Sequence, residues 1–345
     1  MSPLRPLIFW EGFPPCGLLI QPLVQQFGAE LKVLGTRAAV PFVGLEEMLG
    51  RPIDWLDQPD DIWARREEFA DRNFIIHTGW AHKGWLRYDR WMRARGARVV
   101  TAVDNRFKAN LRQAVGALWF RLWLGRHFDA ALVPGRSGIR LMRFLGMPAE
   151  RIVTGYYGAH EAIYTPGPPL DQRPEEFLFV GQLIERKGVD VLLAAYRSYR
   201  ARGGRWNLRI LGSGPLQAHC SGDGVVFDGF AQARLTAERM RAARALILPS
   251  REDHWGTVVC EAAASGCLLI TSRWVGASAD LVRQGINGYE FQSMTPAALE
   301  TALHAISGWD QGQLSNGQAV SLGLAQGHTS ASYRSAFLAL ESMLP

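Results

Sequence analysis

The sequence predicts an α/β protein built from two parallel-sheet domains, and three observations carry that expectation. The chain has 345 residues, too long for one ordinary core and suited to two domains of about 150 to 170 residues each. Short apolar runs such as LIFW, FIIHT, RVVTA, FLFVG and ALILP lack polar alternation, so they read as strands buried on both faces, as in a parallel sheet. Helical patterns separate these runs, and strand–helix–strand repetition implies parallel crossover connections.

Composition narrows the function classes. With 48% hydrophobic and 20% charged residues the chain reads as soluble and globular. A net charge of +6 suggests an anionic partner: a phosphate ligand, a nucleic acid or a membrane surface. No RNP-type or zinc pattern and no long basic tract is present, which counts against nucleic acid. Cys16, Cys220, Cys260 and Cys267 form no C-x-x-C pair and read as thiols in a reducing compartment. The apolar run before Glu11 is too short for a signal peptide. No run approaches the roughly 20 residues that cross a bilayer. The expected location is the cytoplasm.

In chain order, PLIFWEGFPPCGLLIQPLVQQFGAELKVLG reads as strand, Gly/Pro loop at 12–17, helix over about 18–27, and strand. The loop glycines suit either close approach of the backbone to a ligand or a tight turn. Residues 40–72 are polar, with helical stretches and no motif. FIIHTGW, 74–80, is a buried strand with His77 near its carboxyl end, where a histidine is more often a satisfied structural residue than a catalytic one. RVVTAVDNRF, 98–107, is a further strand followed by Asp104-Asn105, a pair suited to turning the chain. Residues 106–129 predict an amphipathic helix with Leu111, Val115, Leu118, Leu122, Trp119 and Trp123 on one face and Lys108, Arg112, Arg121 and Arg126 supplying charge. The commoner use of such a face is to cover a sheet; a basic helix with exposed tryptophans would instead lie on a membrane surface. Residues 129–134 give a strand and 136–146 a helix. Residues 151–176, with four prolines among 166–174, read as the interdomain linker.

The second domain opens with strand FLFVG, a loop at 181–183, and a helix over 189–199. Arg186 and Lys187 stand beside that helix's N-terminus, where cations oppose the helix dipole, so an anion is expected between them. Arg grips phosphate two-pronged and Lys adds a point charge. WNLRILGSGPLQ gives a strand and a Gly-x-Gly loop at 212–214, a weak signal alone. VVFDGF, 225–230, is another strand. LPSREDHWGTVVCEAAASGCLLITS, 248–272, says most: a strand ends at Pro249, a polar loop follows, and a helix begins near Trp255 or Gly256 and stops at Ser265-Gly266. Asp253 lies on the loop and Glu261 eight positions on, two turns into the helix. Helix N–H groups aimed at a strand's carboxyl end suit a phosphorylated ligand. Residues 273–292 supply a loop, helix, Asn-Gly turn and strand, and SASYRSAFLALESMLP a final helix.

These motifs, dense in 177–292 and thin before 150, resemble those of the retaining, nucleotide-sugar-dependent glycosyltransferases of family 4, the glycosyl transferases group 1. The resemblance implies the GT-B fold, two Rossmann-like domains with parallel sheets facing across a cleft. It places an acceptor-side domain at 1–165, a donor-side domain at 166–328, and a helix at 329–345 packing back toward the first. Asp253 stands where the family usually has Glu, one methylene shorter, and Trp255-Gly256 where it often has Phe-Gly. Arg186-Lys187-Gly188 match the family's diphosphate-binding motif.

By the same resemblance the donor contacts comprise Gly17, Gly181, Gly212 and Gly229, the stretch Asp253, His254, Trp255, Gly256, Thr257 and Val258, and Glu261. Glu261 would hold the ribose hydroxyls, since a carboxylate accepts two hydrogen bonds from a diol. Asp253 would contact the sugar, and Arg186 and Lys187 would neutralise the leaving diphosphate. Asp104 is a candidate catalytic residue in contact with the acceptor or the donor sugar, and Asn105 and His77 are candidates for the acceptor side. No Asp-x-Asp occurs, and fixed cations with backbone N–H groups can stabilise the leaving group without a metal. The expected activity is sugar transfer with retention to a saccharide, lipid-linked or other glycoconjugate acceptor in polysaccharide biosynthesis, in the cytoplasm or peripherally on the inner membrane face. Alternatives are a nucleotide-sugar epimerase on the same fold, or a non-catalytic protein binding nucleotide sugar or membrane. A dinucleotide-dependent oxidoreductase is disfavoured, because no G-x-G-x-x-G follows the first strand and no acidic residue stands at the expected distance.

Overall fold

The computed structural model describes residues 3–40 and 42–343. The chain divides into two compact units, Met1–Tyr157 with Ser330–Pro345, and Gly158–Thr329. In the first, seven parallel strands run β1 (Pro6–Trp10), β2 (Lys32–Thr36), β3 (Asp54–Leu56), β4 (Phe74–Thr78), β5 (Arg98–Ala102), β6 (Ala130–Val133) and β7 (Ile152–Thr154). Their order across the sheet is β3-β2-β1-β4-β5-β6-β7. The α-helices between them are α1 (Gln21–Phe27), α2 (Leu45–Leu49), α3 (Lys83–Arg93), α4 (Leu111–Trp119) and α5 (Arg136–Leu145). Leu7, Phe9, Ile75 and Val99 from the strands meet Trp85, Tyr88 and Met92 of α3 in one core.

The second unit has six parallel strands: β8 (Glu176–Val180), β9 (Asn207–Leu211), β10 (Val225–Gly229), β11 (Ala245–Leu248), β12 (Leu268–Ser272) and β13 (Gly288–Phe291). They are ordered β10-β9-β8-β11-β12-β13. Its helices are α6 (Val189–Ala201), α7 (Ala233–Ala242), α8 (Thr257–Ala264), α9 (Ser278–Leu281), α10 (Pro296–Ser307) and α11 (Gln311–Ala325). Phe177, Ile210 and Ile247 pack against Leu192 and Tyr199 of α6 and Leu299 and Leu303 of α10. Both sheets are Rossmann-like. In each, the chain works outward from the first strand, then returns to its other side. The carboxyl ends of β1 and β4, and of β8 and β11, are therefore the two places where neighbouring loops part and leave room for a ligand.

The last helix, α12 (Ser330–Met343), belongs to the first unit, burying Tyr333, Ala336, Phe337 and Leu340. The Phe337 ring lies 5.5 Å from Phe27 and 5.1 Å from Phe74. The first unit ends at Tyr157, inside the 151–176 linker expected from composition and eight residues before the boundary at 165 that the resemblance implies. The reason is local: Ala159 N–H donates to the His328 carbonyl at 2.9 Å, and a Cβ on Gly158 would lie 2.3 Å from that oxygen. Residues 158–165 are thus tied to the end of the second unit.

The structure differs from the sequence expectation in three respects. The helix expected over 18–27 is a 3-10 turn, Pro15–Ile20, before α1, because Pro22 has no N–H and suits only a helix's first turn. β3 and β7, three residues each and partly exposed, carried no apolar run to reveal them. The third is α4, capped by the Asn110 side chain accepting from Gln113 N–H at 2.9 Å, and continued by a π turn, Phe120–Leu124. The face expected to cover the sheet points to solvent. Ala117, Phe120 and Leu124 do the packing instead, with Phe120 5.2 Å from Trp80.

Because Phe337 is fully buried against two other rings, Phe337→Ala is expected to lower stability in urea unfolding by about 3–5 kcal/mol. A loss below about 1 kcal/mol would show that the first unit holds together without α12.

Candidate active site

At the carboxyl end of β8 the chain enters a loop held by main-chain contacts. Gly181 N–H donates to the Leu211 carbonyl at 3.0 Å, and Leu183 N–H to that of Ser213 at 2.8 Å. Gly212, at φ +151°, has the Gly181 carbonyl oxygen 1.8 Å from where its Cβ would stand. The Gly-x-Gly loop after β9 is thus pressed against the loop after β8, and both glycines serve that approach. Gly229 ends β10 at φ +75° and its carbonyl accepts from Gly212 N–H at 2.8 Å.

The loop closes in a 3-10 turn, Glu185–Lys187, before α6. Gly188 caps that helix at φ +71°, and a Cβ there would lie 1.9 Å from the Pro249 carbonyl oxygen, at the end of β11. The approach brings Arg186 and Lys187 against the loop 249–256. The Arg186 carbonyl accepts from Arg251 N–H at 2.8 Å, and its guanidinium donates to the Glu252 carbonyl at 3.0 Å. Lys187 Nζ donates to Asp253 Oδ2 at 2.5 Å, and the Ser250 hydroxyl reaches the same oxygen at 3.3 Å. Beside them Arg251 pairs with Asp190 at 2.6 Å, which holds the Asp190 carboxyl below its ordinary range. Of the two cations beside which an anion is expected, Lys187 meets the Asp253 carboxylate and Arg186 a main-chain carbonyl.

Asp253 is held on the other side by main chain: its N–H donates to the Trp274 carbonyl at 3.0 Å, and its carbonyl accepts from Gly276 N–H at 3.2 Å. It is 8% exposed. His254, half-buried, has Nε2 3.7 Å from Glu252 Oε1. Trp255 is a core residue: its ring lies 5.5 Å from that of His328 and its indole N–H donates to Cys260 Sγ at 3.3 Å. A buried indole offers no surface to a nucleotide, so only the backbone of Trp255 is available to a ligand. Gly256 caps α8 at φ +86° with no side-chain bond. The first-turn N–H groups of Thr257 and Val258, which have no intrahelical acceptor, therefore face outward from the helix N-terminus.

Glu261 lies on the α8 stripe shared with Thr257, Val258 and Ala264, which stays partly exposed while Val259, Cys260, Ala262 and Ala263 are buried. Desolvation pushes its carboxyl up to about 7, and a hydrogen bond with Tyr164 pulls the other way. Tyr164, in the Pro-rich stretch before β8, carried no sequence signal. Among the described residues no group of three His, Cys, Asp or Glu side chains is placed to hold a metal ion.

In the first unit the expected site residues scatter. Gly17 lies in the 3-10 turn, where a Cβ would meet the Phe13 ring at 2.5 Å, so packing alone demands a glycine. His77 is fully buried, its Nε2 3.1 Å from Asp89 Oδ2 and its ring stacked 4.7 Å from Trp85. It is structural, and burial removes it from the acceptor candidates. Asp104 is partly exposed and accepts a 3.1 Å hydrogen bond from the Tyr157 hydroxyl, whose pKa burial drives upward. Asn105 is exposed. At the β1/β4 parting the structure places a pair that sequence reasoning missed: His82 Nε2 lies 3.1 Å from Glu11 Oε2. A polar residue directly after the first strand was the available signal.

The sequence of the second unit decides its family. Residues 174–307 match the profile of the glycosyl transferases group 1. The second unit is a glycosyl transferases group 1 domain. A putative colanic acid biosynthesis glycosyltransferase, WcaL of Salmonella typhimurium, is 26% identical over 193 residues, covering 50% of this chain and 46% of that protein. Mycobacterium tuberculosis glycogen synthase is 30% identical over 141 residues, 39% of this chain and 34% of that protein. The chain spans less than half the length of these curated relatives. Over the whole chain, Anabaena Alr3699/HepE in complex with UDP and glucose superposes with a TM-score of 0.75 at 14% identity, covering 99% of this chain and 100% of that one. That likeness confirms the two-domain GT-B fold around the group 1 domain.

The elevated pKa of Glu261 has a consequence for stability. Below the ordinary carboxylate value, about 4.5, folded and unfolded chains both hold the proton. Between there and about 7 the unfolded chain ionises first, so the folded state loses stability as pH rises. Glu261→Gln is expected to raise Tm at pH 8 and to leave it nearly unchanged at pH 4.5. An equal effect at both pH values would show that the carboxyl is not desolvated.

Proposed function

We propose that the protein transfers a sugar from a nucleoside-diphosphate sugar to a saccharide, lipid-linked or other glycoconjugate acceptor, with retention of anomeric configuration and without a metal ion. The observation that carries this reading is the meeting, at the β8/β11 parting, of the Arg186-Lys187 turn, the uncapped N-terminus of α8, and two carboxylates of different environment. The names of the relatives, transferases of colanic acid and glycogen assembly, support a polysaccharide acceptor.

The chemistry follows from charge. As the bond from the anomeric carbon to the diphosphate oxygen breaks, negative charge grows on the diphosphate and positive charge on the sugar. Arg186, Lys187 and the first-turn N–H groups of α8 would meet the former with preset dipoles. An arriving diphosphate competes with Asp253 for Lys187. Once Lys187 turns to phosphate, the Asp253 carboxylate is free to accept from a sugar hydroxyl and to face the positive charge. Glu261 would accept from the ribose diol, and donors favouring the carboxylate would draw its proton off. In the first unit Asp104 and the Glu11–His82 pair are the polar groups proposed for the acceptor.

Calorimetry with UDP-, GDP-, ADP- and dTDP-glucose in EDTA tests the donor site. One of them should bind. Lys187→Gln should weaken it about 10- to 100-fold, as for loss of a hydrogen bond to a charged group. Wild-type affinity should rise about tenfold from pH 6 to pH 8, following ionisation of a group titrating near 7, and should be level in Glu261→Gln. Binding of none of the four by folded protein would sink the reading.

With the donor known, NMR of the product should show the donor's anomeric configuration, and the rate in excess EDTA should match that in Mg²⁺. An inverted product, or a rate abolished by EDTA, would overturn retention or metal independence respectively.

A further inference from the structure

We propose that α4 and the turn after it dock the protein on an anionic lipid surface. The inference is independent of the transfer reading. Six large apolar side chains of this element stand in solvent: Leu111 is 80% exposed, Val115 65%, Leu118 62%, Trp119 53%, Leu122 60% and Trp123 54%. Leu111, Val115, Leu118 and Leu122 follow helical spacing along one stripe, with the two tryptophans on its flank. Ala117, Phe120 and Leu124, on the opposite side, fix the helix to the first unit. The element is therefore held firmly with its apolar face outward, and soluble monomers rarely present a patch of this kind without a use.

Charge selects the occupant. Residues 105–149 contain eight Lys or Arg and one acidic residue, Asp129. Asp129 is already engaged by Arg93 at 2.7 Å and Val99 N–H at 2.8 Å. Arg112, Arg121 and Arg126 sit along α4 and its turn, and Arg140 and Arg143 are exposed on neighbouring α5. The Arg121 guanidinium bonds to the Phe144 carbonyl and that of Arg126 lies 5.3 Å over the Trp123 ring, so both keep their charge uncancelled. A second copy fits poorly, because a two-fold interface would set this cationic patch against itself. A surface with anionic head groups over acyl chains complements both features: the leucines and tryptophans enter the head-group boundary while the arginines meet phosphate. No described helix is long and apolar enough to cross a membrane, so the contact is interfacial.

Co-sedimentation with vesicles tests this, using phosphatidylcholine alone and an equal mixture with phosphatidylglycerol. The variants are Trp119→Ser/Trp123→Ser and Arg112→Glu/Arg121→Glu, with far-UV circular dichroism as the check of folding. The wild type should pellet with the mixed vesicles and roughly tenfold less with phosphatidylcholine or in high salt. The tryptophan variant should lose binding to both, and the arginine variant its preference for the anionic lipid. No binding to the mixed vesicles, or binding unchanged in the tryptophan variant, would overturn the proposal. So would a wild-type dimer, seen by sedimentation, that the tryptophan substitutions dissolve, since a second copy would then cover the stripe.

Discussion

At residue 188 the carbonyl oxygen of Pro249 lies 1.9 Å from the place a Cβ would take, and at 212 that of Gly181 lies 1.8 Å away. At 276 the His254 carbonyl comes as near as 2.0 Å. These three approaches of main chain to main chain tie together the loops at the carboxyl edge of the second sheet, and only glycine allows them. The side chains that matter are hung on that frame. Arg186 and Arg251 are bonded through their backbones, and Lys187 is thereby brought to Asp253. The glycines thereby place the charges.

The charges so placed are balanced in advance. The Lys187 and Asp253 side chains are only 15% and 12% exposed, and a half-buried ion without its partner is costly. Each keeps the other in position, so an anion that takes Lys187 would first have to displace Asp253. The short Asp at 253, one methylene less than the usual Glu, suits this pairing, with the Ser250 hydroxyl on the same oxygen. Glu261 is the contrasting carboxylate, desolvated and with a raised pKa. Two acids eight residues apart thus stand in different surroundings: Asp253 is paired with Lys187, whereas Glu261 is desolvated beside Tyr164.

His77 and His82 of the first unit show the same division between residue type and placement. His77 sits within β4 and is enclosed by Trp85, Phe128 and Asp89. His82 stands five residues later at the start of α3 and pairs with Glu11 at the open edge. A strand residue one step inside the sheet cannot reach a ligand, whereas the helix-start residue can. Sequence position near a strand end was legible, but which side of that end lay open was not. In α4 likewise, the spacing of Leu111 to Leu122 made an apolar stripe legible but gave no direction for it. Phe120 and Leu124, on the other side of the helix, took the packing role.

What the sequence by itself determined is the set of elements and their parallel pairing. Unalternating apolar strands, separated by helices, can be buried on both faces only in a parallel sheet with crossovers. It also determined that Arg186-Lys187 and the 249–256 loop stand at strand ends, since both follow such runs directly. What only the tertiary structure decided is which of these loops meet, and with which partner each charge is satisfied. Strand order separates β8 from β11 by 64 residues of chain yet sets them side by side, and no local pattern encodes that neighbour. Burial, and with it the pKa of Glu261, the confinement of His77 and the exposure of the α4 stripe, depends on contacts distant in sequence. The pattern of residues fixes how a segment folds, whereas desolvation and Coulomb energies depend on what the fold then brings beside it.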